Sequence, residues 1–126
     1  MTSFDARSGL IVIPAKVYGQ EQDVVIRLAL DTGATSSVVS TSIVVFLGYD
    51  PVSVPDRVEI TTGSGVEYCA SITLRRIEAL DRALDEFSIL CHTLPPSAGV
   101  DGLLGLDFFR GCYLGIDFRM GEIILE

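Results

Sequence analysis

Residues 28 to 40 read LALDTGATSSVVS, an apolar run that ends on an acid and passes at once into Thr32 and Gly33. An aspartate in that place serves one of two ends. It bonds its own backbone to close a strand into a turn, or its carboxylate is held ready for proton transfer. Hydrolysis of a peptide bond by water needs one carboxylate to take a proton from the water while a second, still protonated, gives one to the carbonyl or the leaving amine. Two carboxylates about 3 Å apart cannot both ionise easily, so such a pair shares one proton. A single Asp31 cannot fill both roles. The loop that holds the acid must also be tight: Gly33 lets another backbone approach, and Thr32 offers a hydroxyl to a neighbouring main chain. Residues 31 to 33 alone fit the turn cap as well as the chemistry, so the rest of the chain has to decide.

Other chemistries have less to stand on. His92 is the sole histidine. Zinc takes roughly four ligands and no second cluster is visible, so no metal site and no cofactor is expected. A serine or cysteine nucleophile would have only His92 as its base. Cys69, Cys91 and Cys112 are odd in number, widely spaced and without a C-x-x-C pair. They read as free, mostly buried thiols in a reducing compartment, the cytoplasm. Net charge is −8, from 9 basic and 17 acidic residues with no basic run, which argues against a nucleic-acid partner. The apolar runs VVIRLAL and SIVVFLG fall far short of the roughly 18 to 20 residues of a membrane span. The N-terminal stretch lacks a cleavage site and is broken by Pro14, so no signal peptide is read there. Asp101, Asp107 and Asp117 read as structural acids: Asp101 in a loop before Gly102, Asp107 as a cap or a solvent-facing residue of a short helix.

The elements around Asp31 follow from periodicity. At 126 residues, 48% apolar and 21% charged, the chain reads as one ordered domain over residues 1–126. Residues 9–18 and 24–30 are β-branched runs joined by GQEQD, a hairpin. Residues 57–62 and 66–74 alternate around Gly63, Ser64 and Gly65, a second hairpin with a flexible tip. A third pair is expected at 75–80 and 86–92 around DRALD, and a last one at 113–118 and 122–126. Helix is expected only at 41–47, with Ser40 as N-cap and Gly48 as C-cap, and for a turn or two at 105–110. The expected architecture is mostly β: a small closed or folded-over β-barrel with one or two short helices.

A second element moves the balance at Asp31. About 70 residues further on the chain reads VDGLLGLDFFRG, apolar residues and a glycine before a short helical pattern. LALDTGATSSVV, the Gly-containing hairpin about 30 residues later and DGLLGLDFFRG together resemble the retropepsin-like aspartic proteases, the single-domain relatives of pepsin that include retroviral proteases and bacterial homologues. The likeness spans roughly residues 9 to 126. It implies an acid-protease fold and a peptide or protein substrate. Asp31 would be the catalytic carboxylate, Thr32 would bond across a dimer to lock two active-site loops together, and Gly33 would lie near the substrate backbone. Thr62, Gly63, Ser64 and Gly65 would form the tip of a flap that closes over the peptide. Leu103, Leu104 and Gly105 would pack beneath the catalytic loop. Two-lobed members carry two Asp-Thr-Gly copies in one chain; this chain has one, so the resemblance implies a C2 homodimer with one Asp31 from each copy.

Two departures from the family pattern bear on this. Retroviral members often pair an acid four residues after the catalytic aspartate with an arginine just after the glycine of the apolar-apolar-Gly element. Thr35 and Leu106 hold those positions here, so both halves of that ion pair are absent together and the chain resembles the cellular and bacterial branch. Ala34 stands where pepsin-like enzymes carry a serine bonded to the aspartate, which implies weaker activity at strongly acidic pH. Tyr68, in the flap hairpin, either meets substrate or packs on the core face. Two other functions compete. Asp31 to Thr35 also fit the D-x-G-x-T pattern of sugar-kinase and actin-like folds, but 126 residues cannot supply their two α/β halves. A non-catalytic dimeric binding module on the protease fold is the stronger rival, although binding alone has no need of Asp31, Thr32 and Gly33 together.

Overall fold

Strand alternation in the sequence becomes a barrel in the structure, a computed structural model that describes residues 1–62 and 65–126. β1 (Thr2–Ser3), β2 (Val12–Tyr18), β3 (Asp23–Leu30) and β4 (Val38–Val39) precede helix α1 (Thr41–Phe46). β5 (Arg57–Thr62), β6 (Gly65–Ala79) and β7 (Arg82–Cys91) follow, then β8 (Gly102–Leu104) and the single-turn helix α2 (Leu106–Phe109). β9 (Leu114–Asp117) and β10 (Glu122–Leu125) end the chain. The larger sheet runs β2-β3-β8-β4-β7-β6-β5, and β2 also pairs with β6, from Lys16 opposite Glu78 to Tyr18 opposite Arg76. That pairing closes six strands into a barrel, with β5 left outside on the edge of β6. A smaller antiparallel sheet, β1-β10-β9, joins the two ends of the chain.

The period of two decides what fills the barrel. Ile13, Ala15 and Val17 of β2 point inward while Pro14 and Lys16 do not, and Ile26 and Leu28 of β3 join them. Ile72, Leu74, Ile77 and Ile89 come from the opposite wall. Phe108 of α2 is fully buried and meets Phe87 and Phe109 edge to face, at 6.0 and 5.5 Å between ring centroids. α1 lies where 41–47 was expected and is held by Val44 and Leu47, both fully buried. Gly48, with φ +96, ends it. Ser40 occupies the N-cap position, but its side chain makes no cap bond and stands 3.4 Å from the Ser42 hydroxyl instead. Packing rather than capping therefore carries this helix.

The region 66–92 departs from expectation. β6 is one strand of 15 residues, not the end of one hairpin and the start of another. Its inward residues are Ala70, Ile72 and Leu74, then Ile77 and Ala79, so the alternation changes phase at Arg75 and Arg76. β7 changes phase opposite, at Glu86, which adopts φ +53. The pairing continues across the defect, with Leu74 opposite Phe87 and Ile77 opposite Leu84. DRALD is thus mostly strand. The turn is Leu80–Asp81, both at positive φ, joining Ala79 to Arg82 as a two-residue loop. Among the described residues no helix is long and apolar enough to cross a membrane.

Candidate active site

Asp31 lies one residue beyond β3, and the strand beneath it explains its position. β8 pairs in parallel with β3, from Leu28 opposite Gly102 to Leu30 opposite Leu104. On its other side β8 pairs antiparallel with β4, Val38 opposite Leu103. The chain therefore enters and leaves the 31–37 loop along the two flanks of one three-residue strand. Such close flanking has a steric condition. A Cβ on Gly102 would drive into the Val38 carbonyl and the Leu28 side chain. One on Gly105 would stand 2.8 to 2.9 Å from the Ala34 and Ser36 main chain.

Hydrogen bonds fasten the loop to this floor. Asp31 N donates to Leu104 O at 2.9 Å, and Leu106 N donates to Ala34 O at 2.8 Å. Gly105 N donates to Ser37 Oγ at 2.9 Å, and Ser37 Oγ in turn donates to Asp107 Oδ1 at 2.7 Å. Ser37 N donates to Asp107 Oδ2 at 2.9 Å, while Leu90 N donates to Ser37 O. Asp107 thus neither caps α2 with its side chain nor simply faces solvent. It ties α2 to the loop. Nothing in the sequence marks Ser37: one serine in TSS has no local feature that sets it apart, and its partner lies 70 residues away. Asp101 is structural as expected: its backbone N–H donates to Arg27 O and its carboxylate accepts from Arg27 N.

At the acid itself, Gly33 N donates to Asp31 Oδ1 at 2.9 Å, and Ala34 N donates to Asp31 O at 3.2 Å. No bond to Oδ2 is present among the described residues. Asp31 is half-buried, and Thr32 and Gly33 are exposed at the loop's crest. The loop residues Asp31, Thr32, Gly33 and Ala34 are therefore brought together with Leu103, Leu104 and Gly105. Of the expected hairpin tip, Thr62 ends β5 opposite Gly65, which begins β6; Gly63 and Ser64 lie outside the described residues. No hydrogen bond joins that hairpin to the Asp31 loop among the described residues. Tyr68 is 68% exposed, so it does not serve the core. His92 Nε2 stands 3.5 Å from the carboxylate of Glu67, which lies opposite Ile60 in the same hairpin. No group of three metal-binding side chains occurs among the described residues.

Two comparisons with known proteins bear on the family and the fold. Residues 15–111 match the family model of the gag-polyprotein putative aspartyl protease. In fold, the chain resembles the crystal structure of a retropepsin-like aspartic protease from Rickettsia conorii, with a TM-score of 0.72 over 98% of this chain and 85% of that one. At 21% identity that likeness speaks for the fold. No curated protein matches the sequence.

Proposed function

This chain belongs to the gag-polyprotein putative aspartyl protease family, and from that premise we propose that residues 1–126 form one domain acting as an aspartic endopeptidase, completed by a second copy of itself. The observation that carries the reading is the Asp31 carboxylate: one oxygen is fixed by Gly33 N–H, the loop is bolted to β8 and α2, and the other oxygen takes no bond from the described residues. The bond from Gly33 N–H is also the one a turn cap makes; it is the second oxygen, on a loop held this firmly, that leaves room for a shared proton and an attacking water.

In the dimer, Asp31 of each copy meets on the two-fold axis, and the pair holds one proton. The ionised member takes a proton from water as it attacks the scissile carbonyl; the protonated member donates to the carbonyl oxygen and then supplies the leaving amine. Thr32, exposed and with no hydrogen bond among the described residues, reaches the partner's loop. The β5–β6 hairpin, described as far as Thr62 opposite Gly65, closes over the peptide and excludes water. No metal or cofactor enters the reaction. The three free thiols fit a reducing, cytoplasmic setting, and the charge of −8 disfavours nucleic acid.

The test is cleavage of an unstructured peptide library between about pH 4 and 7 by the wild-type chain and by Asp31→Asn. The variant should lose at least about 10²- to 10⁴-fold. Equal cleavage would remove the catalytic assignment and leave a binding module on the same fold. Adding excess Asp31→Asn to wild type should also suppress activity, since mixed dimers hold one carboxylate. Activity indifferent to that addition, in a chain that sediments as a monomer, would refute the shared site.

A further inference from the structure

We propose that Ser37 and Asp107 are positioning residues for Asp31, a polar clamp that sets where the reacting carboxylate stands relative to its counterpart across the dimer axis. The proposal rests on the aspartic protease reading above.

Ser37 is the buried polar residue among those described, at 0% exposure, and every polar atom it owns is bonded. Both oxygens of Asp107 accept from it, one from the backbone N–H and one from the hydroxyl. Two donors on one residue meeting two acceptors on another fix both distance and orientation, as a single contact does not. The same hydroxyl accepts from Gly105 N, the residue whose missing side chain lets Ala34 and Ser36 approach. The clamp thus joins the far end of the catalytic loop to the glycine beneath it.

Stability alone is a poor reason for this choice of residues. A half-buried carboxylate gives up hydration, and an apolar pair of similar volume would hold two segments together at less cost. What an apolar pair lacks is direction. The neighbouring positions sharpen the point: Thr35 and Leu106 carry no charge with which to tie loop to helix, so the side-chain tie between the two segments is Ser37 to Asp107. Because Phe108 and Phe109 anchor α2 in the core, Asp107 is itself held on a rigid support. The line of force runs from the core through α2 and Ser37 to the loop that presents Asp31.

The experiment uses the full chain at concentrations where activity per chain no longer rises, so that dimerisation is complete. Ser37→Ala and Asp107→Asn are compared with wild type for kcat, KM, melting temperature and the pH dependence of kcat/KM. Displacement of a reacting group by about 1 Å costs on the order of 10²-fold. The clamp variants should therefore lose about 10- to 100-fold in kcat with KM nearly unchanged. Their pH–rate profiles should also narrow, because two carboxylates set further apart share a proton less strongly. A role in folding alone would lower activity only in step with the folded fraction and leave the width of the profile as it was; that result overturns the proposal. Should Ser37→Ala not fold, the near-isosteric Asp107→Asn decides, and its own failure to fold would assign the pair to stability and overturn the proposal too. A wild-type chain that cleaves nothing, or an Asp31→Asn variant as active as wild type, marks failure of the protease reading instead.

Discussion

The close passage of the Asp31 loop over β8 can be weighed by adding single methyl groups. Gly105 has φ −97 and ψ −172, extended backbone that any residue adopts, so alanine there meets no conformational barrier. It meets crowding: its Cβ would stand 2.8 Å from Ala34 O and 2.9 Å from Ser36 C and O, all main-chain atoms of the Asp31 loop. Forcing an extra methyl into a packed site costs about 1–3 kcal/mol, and stiffening the unfolded chain returns about 0.4–1 kcal/mol. The net loss is roughly 1–2 kcal/mol. For 126 residues, an unfolding entropy of about 2.1 cal/mol/K per residue makes that a fall of about 4–8 °C in Tm. Gly9, with nothing within 4 Å of its Cβ position, is the control: Gly9→Ala should gain about 0.4–1 kcal/mol. Gly102→Ala sets the other extreme, since its methyl would press on the Val38 carbonyl and Leu28 from the middle of three paired strands; more than about 3 kcal/mol is expected. Thermal and urea unfolding of the three variants should rank them Gly9, Gly105, Gly102 in rising damage. A Gly105→Ala protein that melts with Gly9→Ala would show that the loop does not ride on β8 as described.

Two further outcomes test other parts of the fold. The Tyr18 hydroxyl, and after it the Arg76 guanidinium, hold the Glu78 carboxyl below its ordinary value of 4.5. A carboxyl depressed on folding adds stability above its unfolded value and loses it as pH falls through the folded one. The Tm gap between wild type and Glu78→Gln should therefore be full near neutral pH and close on acidification below 4.5; a gap that widens in acid would contradict the contact at the β2–β6 seam. Burial first, then the charge of Glu67, pushes the Cys69 thiol up, and Cys91 is buried beside Thr41, whereas Cys112 is half-buried. One thiol per chain should react readily with a chromogenic disulfide reagent near pH 8, the other two only on unfolding, and fast reaction of all three would refute the burial.

What could be read in advance, and what could not, divides by the range of the interaction. The β2–β3 hairpin is legible because Ile13, Ala15 and Val17 alternate with polar or exposed neighbours and the polar turn between the runs is local. Asp31 stands out because an acid closing an apolar run, followed by Thr and Gly, is a local pattern with a chemical reason. The sequence pattern divides β6 in two because alternation is the sign of a strand's continuity, and it changes phase at Arg75 and Arg76 while the compensating defect sits across the sheet at Glu86. The turn at Leu80–Asp81 is hard to read because Leu80 gives no sign of positive φ and Asp81, which tolerates it, is followed by Arg82 rather than glycine. β1 is two residues long, and nothing nearby foretells its pairing with β10. The Ser37–Asp107 clamp is the extreme case. Its two residues become neighbours only because β8 slots between β3 and β4, a crossing set by the whole barrel. A local pattern can nominate the group that reacts, but the groups that aim it are chosen by topology, which is why a site built on loops draws its precision from residues that look ordinary in the chain.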